Sequence, residues 1–141
     1  MTIPAPEPGL VVQFNDLWSA EFDRGREEAR YPRPCAVVLA YRRTADGVTV
    51  VLLALITHSE PRADDRAVEI PQAVKRHLGL DDLRSWVMID EVNETAWPGF
   101  DLERTPTGDD AYGLLPPALF AKIKRGIVEV LTERRLKRVS R

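Results

Sequence analysis

Arg33-Pro34-Cys35-Ala36-Val37-Val38-Leu39-Ala40, then Asp46-Gly47, then Val50-Val51-Leu52-Leu53-Ala54-Leu55-Ile56-Thr57-His58-Ser59: the reading of this stretch decides the fold. Two apolar runs flank a turn signal, the pattern of a buried β-hairpin. Polar residues collect at one end of each run. Arg33 lies just before the first strand, and Thr57, His58 and Ser59 close the second. An antiparallel hairpin brings those two ends together. A guanidinium is then expected near a hydroxyl at the open end of a rigid sheet, where a site is well supported.

Outward from the hairpin, residues 1–8 are proline-rich and read as a loose tail, and Gly9 to Phe14 reads as a first strand. Asn15 to Arg33 is a long polar connection in which Trp18 and Phe22, four apart, would anchor one helical turn. After the hairpin, Glu60 to Arg66 is a polar loop and Ala67 to Ile70 a short strand. Pro71 opens a short helix, Gln72 to Leu78, that Gly79 stops. Ser85 to Asn93 is another strand, with Val87, Ile89 and Glu91 on one face and Trp86, Met88, Asp90 and Val92 on the other. Trp97-Pro98-Gly99 breaks it, residues 101–111 form a polar loop, and Tyr112 to Leu115 adds a short strand. Pro116-Pro117 starts the last element. Leu119, Phe120, Ile123, Ile127, Val130 and Leu131 recur at helical spacing, so an amphipathic helix runs to about Arg135. Its basic end, Arg134 to Arg138, suits a helix C-terminus and reads either as a solvated tail or as a contact for phosphate or an acidic partner. The order predicts a mainly β fold with α (α+β): a small, strongly bent sheet or barrel with a C-terminal helix.

The chain has 141 residues, 44% hydrophobic and 30% charged, enough for one globular domain with a core. A net charge of -2 argues against non-specific nucleic-acid binding by the whole surface, but not against a local basic site. The single cysteine, Cys35, excludes an internal disulfide and reads as buried and inert. The first residues lack a basic segment followed by an apolar one, and no apolar run reaches membrane-spanning length, so a cytoplasmic protein is expected. His58 and His77 lie on different elements. Asp64-Asp65 and Asp81-Asp82 read as solvated turns or caps, and no metal site or cofactor is expected. There is no glycine-rich phosphate loop and no nucleophile elbow. What remains is Arg33 with the hydroxyls of Thr57 and Ser59, a set suited to binding a phosphate and stabilising charge on it. RNA carries its own nucleophile, the 2′-hydroxyl, so a protein need only position the strand, stabilise the phosphorane and move protons. The plainer readings stay open: Arg33 as a surface ion-pair partner and Thr57 as a turn or cap residue.

Four blocks, in order, resemble the PemK/MazF family of toxins from toxin–antitoxin pairs, from about Gly9 to Leu131. Gly25 to Pro34 is similar to the family's Gly-Ser-Glu-Gln stretch leading to an Arg-Pro pair, with about one extra residue. Val51 to Ser59 resembles the strand ending in its Ile-Thr. Ala67-Val68-Glu69-Ile70-Pro71, then Gly79-Leu80, then Ser85 to Asn93 and on through Glu94 to Trp97 resemble its next segment. Tyr112 to Leu115 precedes a closing helix as in the family. The resemblance implies a small SH3-like barrel of the CcdB/PemK/MazF type over residues 9–136, with a short middle helix, a C-terminal helix and a basic tail at 137–141. It also implies a homodimer, an antitoxin partner, and metal-independent, sequence-selective cleavage of single-stranded RNA without a cofactor. Arg33 and Thr57 correspond to its catalytic pair: Arg33 would stabilise the phosphorane and serve in proton transfer, and Thr57 would orient the scissile phosphate. His58, Ser59, Glu28 and Asn93 would lie along the RNA.

Two positions depart from the family's pattern. Glu91 stands where a Gln is usual, and Asn93 where a basic residue is common. Both lower positive potential along the expected RNA path, which weakens binding. A catalytically weak or inactive member acting as an RNA- or protein-binding regulatory module is therefore the alternative. His58 reads either as an extra acid or base or as a loop-edge residue. At least one of Trp18, Trp97 and Phe100 is expected at a subunit or antitoxin interface.

Overall fold

Asp46-Gly47 makes the turn its sequence promises. Gly47 takes φ 70°, the left-handed region open to glycine, and the Asp46 carboxylate accepts from the Val48 amide at 3.0 Å and from the Arg43 guanidinium at 2.8 Å. The computed structural model describes residues 3–16, 31–62, 66–99, 101–133 and 137–140. Within them the order is β1 (Leu10–Asp16), β2 (Tyr31–Arg42), β3 (Thr49–Thr57), β4 (Ala67–Glu69), α1 (Gln72–Leu78), β5 (Trp86–Ala96), β6 (Leu102–Glu103), β7 (Gly113–Leu114), α2 (Pro117–Thr132) and β8 (Lys137–Ser140).

These eight strands form one sheet in the order β4-β5-β3-β2-β1-β6, with β7 also on β1 and β8 also on β5. All pairs are antiparallel except β5 with β8. The α+β class is as expected, with the short helix in the middle and the longer one near the C-terminus; the strand path among the described residues is open rather than closed. Both faces of the sheet are covered. Val11, Ala36, Ile56, Val87 and Ile89 join Ile123, Ile127 and Val130 of α2 in one cluster; Val12, Phe14, Cys35, Val37, Leu53 and Leu102 form another. Burial on two faces explains why β2 and β3 read as unbroken apolar runs and not as alternating ones. Gly126 lies where α2 meets β5: a Cβ there would lie 2.5 Å from Ile89 Cδ1, whose side-chain end would have to move aside.

The structure corrects five local expectations. Arg33 lies inside β2, not before it, because β1 pairs along β2 as far as Asp16↔Tyr31 and sets Phe14 opposite Arg33. The simple two-face alternation of β5 fails, since Ile56 pairs with Val87 but Ala54 with Val92, so Met88 to Glu91 stand against Leu55 alone. Leu131 is 59% exposed, lying well off the stripe made by Ile123, Ile127 and Val130. The 101–111 loop contains β6, whose Leu102 pairs with Phe14 and is buried. Lys137–Ser140, expected as a tail, runs parallel to β5.

Candidate active site

A cleft of about 740 Å³ opens at the end of the sheet where β2 begins and β3 finishes. Arg33 lines it from β2, Thr57 from the end of β3, and His58 and Ser59 from the turn that follows. The four come together because β2 and β3 are antiparallel and, past a register shift between Val37 and Leu39, stay in step from Val37↔Leu53 through Cys35↔Leu55. Pro32 and Pro34 flank Arg33 and line the same cleft.

Arg33 is half-buried. Burial pushes its pKa below the ordinary arginine value, opposed by the Cys35 thiol. A guanidinium remains charged under such a shift, and one that has lost part of its water gains more from an arriving anion. Cys35 itself is fully buried in the core, as its apolar run suggests.

The Thr57 hydroxyl accepts the Ser59 amide at 3.1 Å, so the turn-residue reading of Thr57 holds. That bond occupies a lone pair and leaves the hydroxyl proton to be donated. Accepting an N–H also polarises the O–H toward donation.

His58 does not stand alone. Its Nε2 lies 2.7 Å from Asp81 Oδ2, with the two side chains 52% and 46% exposed. The other carboxylate oxygen, Oδ1, accepts from Lys75 Nζ at 2.8 Å and from the Leu83 amide at 3.1 Å. Lys75 is 1% exposed, and its ammonium also donates to the Leu83 carbonyl, which accepts from Ser85 Oγ as well. The end of α1 sets this up. Gly79 takes a left-handed conformation, and the Leu80 amide returns to the Lys75 carbonyl at 2.9 Å, turning the chain so that Leu80 and Asp81 line the cleft. Burial acts to raise the Asp81 pKa, but the Lys75 hydrogen bond, the His58 charge and the Leu83 amide outweigh it and hold the carboxyl below its usual range.

Tyr112 closes another side, its hydroxyl donating to Gln13 Oε1 at 2.8 Å. Burial, with smaller contributions from Cys35 and Asp81, pushes the phenol up to about 12, so it stays a neutral donor. Among the described residues, no group of three or more His, Cys, Asp and Glu side chains is arranged to hold a metal ion.

Of the other residues expected along an RNA, Asn93 is not brought to the cleft. It is fully buried, opposite the equally buried Leu53 on β3. Glu28 lies outside the described residues, as do Trp18 and Phe100. Trp97 is half-buried against the second core cluster, and its Nε1 donates to the Pro4 carbonyl at 3.1 Å. The sequence reading passed over Gln13, Lys75, Asp81 and Tyr112 as site residues. The available signal was Lys75 three residues before Leu78, which puts it on the helix's inward face and gives it need of an acid nearby.

No helix among the described residues is long and apolar enough to cross a membrane. The model of one family, described as the PemK-like, MazF-like toxin of type II toxin–antitoxin systems, matches residues 13–131. No curated protein matches the chain.

Proposed function

Starting from a chain that belongs to the PemK-like, MazF-like toxin family of type II toxin–antitoxin systems, we propose that it is an endoribonuclease that cuts single-stranded RNA at selected sequences. The observation that carries this reading is the cleft shared by a half-buried Arg33 and the Thr57 hydroxyl. Arg33 offers a planar, permanently charged fork to the non-bridging phosphate oxygens, strongest as the phosphorane gathers charge. Thr57, held by the Ser59 amide, donates its proton to the same phosphate and fixes its orientation. The 2′-hydroxyl of the RNA attacks the neighbouring phosphorus and the 5′ oxygen departs, leaving a 2′,3′-cyclic phosphate and a 5′-hydroxyl. The set requires neither a metal ion nor a cofactor for this step. Base choice would fall to the loops around the cleft.

The working form in this reading is a cytoplasmic homodimer neutralised by a cognate antitoxin. Val128 and Leu131, 54% and 59% exposed on α2, offer apolar surface for one of those contacts.

The test is incubation of the purified chain with long single-stranded RNA in excess chelator, alongside R33A and T57A, with the fragment ends mapped. Expected is chelator-resistant cleavage that leaves cyclic phosphate and requires both residues. Binding of the RNA without any cleavage at any pH or salt would instead establish a binding module on this fold, for which Glu91 and the net charge of -2 are the motive.

A further inference from the structure

The buried Lys75 is the least expected feature of the molecule. A lysine 1% exposed must be held by strong acceptors, and burying one costs several kcal/mol before those contacts are made. Among the described residues, its ammonium bonds to one loop, at Asp81 Oδ1 and the Leu83 carbonyl. That loop serves the cleft, because Asp81 presents its other oxygen to His58 Nε2 at 2.7 Å, and His58 directly follows Thr57. A line of hydrogen bonds thus runs from the core to a ring in the cleft, from Lys75 through Asp81 to His58.

We propose that His58 is the general base of the RNA cleavage, with Asp81 as the residue that positions it and Lys75 as the anchor of Asp81. This rests on the ribonuclease reading above. A neutral imidazole facing a carboxylate through Nε2 carries its hydrogen there, so Nδ1 holds the lone pair. Nδ1 takes the proton of the 2′-hydroxyl. The 2′ oxygen forms its bond to phosphorus, and the charge of the phosphorane is held by Arg33 and Thr57. The bond from phosphorus to the 5′ oxygen breaks, its electron pair leaves on that oxygen, and the oxygen takes a proton from water. The imidazolium, held meanwhile by Asp81, returns its proton to solvent. Arginine is poorly suited to accept a proton at neutral pH, and His58 relieves Arg33 of that task. Among the described residues, the titratable and charged groups around His58 are Asp81 and Lys75 on the α1 side, Arg33 from β2, Tyr112 ahead of β7, and Glu60 and Arg62 on its own loop.

The experiment measures RNA cleavage from pH 5 to 9 for the parent, H58Q, D81N and R33A. It also records the imidazole nitrogen shifts of H77Q and H77Q/D81N, in which His58 is the remaining histidine. Expected is a parent rate that rises with pH through the neutral range, a loss of about 10²–10⁴-fold in H58Q with that rise flattened, and a smaller loss in D81N. The H77Q spectrum should show the Nε2–H tautomer, and D81N should mix the two tautomers, which a merely structural role for Asp81 at the loop would not do. H58Q cleaving at the parent's rate while R33A is dead overturns the base and leaves the ribonuclease reading standing. A His58-dependent rate that falls as pH rises, or an Nδ1–H tautomer in H77Q, overturns it likewise. A parent that never cleaves overturns both.

Discussion

Arg33 and Thr57 each lie two residues beyond Cys35–Leu55, the pair at which the β2–β3 ladder ends. Both face one cleft. On the ribonuclease reading, the planar fork of Arg33 grips two phosphate oxygens, which a point charge cannot reproduce. R33K should therefore lose at least about tenfold in kcat/KM for RNA cleavage, and R33A about 10²–10³-fold, as for removal of one oxyanion donor. Both should keep the parent's far-ultraviolet spectrum, since Arg33 adds little to the core. A fully active R33K would remove the need for bidentate contact.

On the ribonuclease reading, Thr57 has two duties that substitution separates. T57S keeps the hydroxyl for both the Ser59 amide and the phosphate, and should stay within about threefold of the parent. T57A loses the donor and frees an exposed amide, so its stability falls by at most about 1 kcal/mol while cleavage falls far more. Urea unfolding beside steady-state kinetics distinguishes the two effects.

Lys75 should matter to folding whatever the chain does to RNA. K75A leaves a void under α1 and strips the Leu83 carbonyl of its strongest donor, a loss of about 2–4 kcal/mol. K75M fills the stem's volume and should lose about half as much. The ordering of the two urea midpoints is the check.

Acid should act on the His58–Asp81–Lys75 line. The folded Asp81 pKa lies below its unfolded value, so its stabilisation is fully present above the unfolded pKa, near 4, and disappears as pH falls through the folded one. D81N should start less stable at neutral pH and lose less between pH 5 and 2. Parallel curves for the two proteins would show that Asp81 adds nothing to folding.

Alkali acts on Tyr112 with the opposite sign. Its folded pKa of about 12 exceeds the ordinary tyrosine value, so its contribution is intact below pH 10 and disappears as pH rises toward 12. Y112F should flatten that alkaline decline, and the phenolate absorbance of the parent should contain a step near pH 12 that Y112F lacks.

Which of these features a reader of the bare sequence meets depends on how local their causes are. Gln72–Leu78 with Gly79 as its stop, and the Asp46-Gly47 hairpin, are written in turn and cap chemistry and fold as written. Arg33 and Thr57 share a cleft because antiparallel pairing makes the ends of two runs meet, which apolar patterning already implies. The rest depends on contacts between distant segments. Asn93 comes to lie opposite Leu53 through the slip of β5 against β3, an irregularity that no single strand's composition signals. Leu102 pairs with Phe14 from within a polar stretch too short to show a period. Asp81 looks like half of an acidic turn until Lys75 is seen to be buried beneath it.

The parallel strand β8 has a consequence for how the chain is handled. β4 covers the outer side of β5 from Trp86 to Met88, and β8 takes over that side further along. A bare strand edge is a template on which another chain adds its own backbone. Shortening the protein after Thr132 would expose half of that edge, while a solubilising tag beyond residue 141 would keep it covered. Lys137–Ser140 thus act as a selvedge, the woven border that stops a sheet from knitting onto its neighbours.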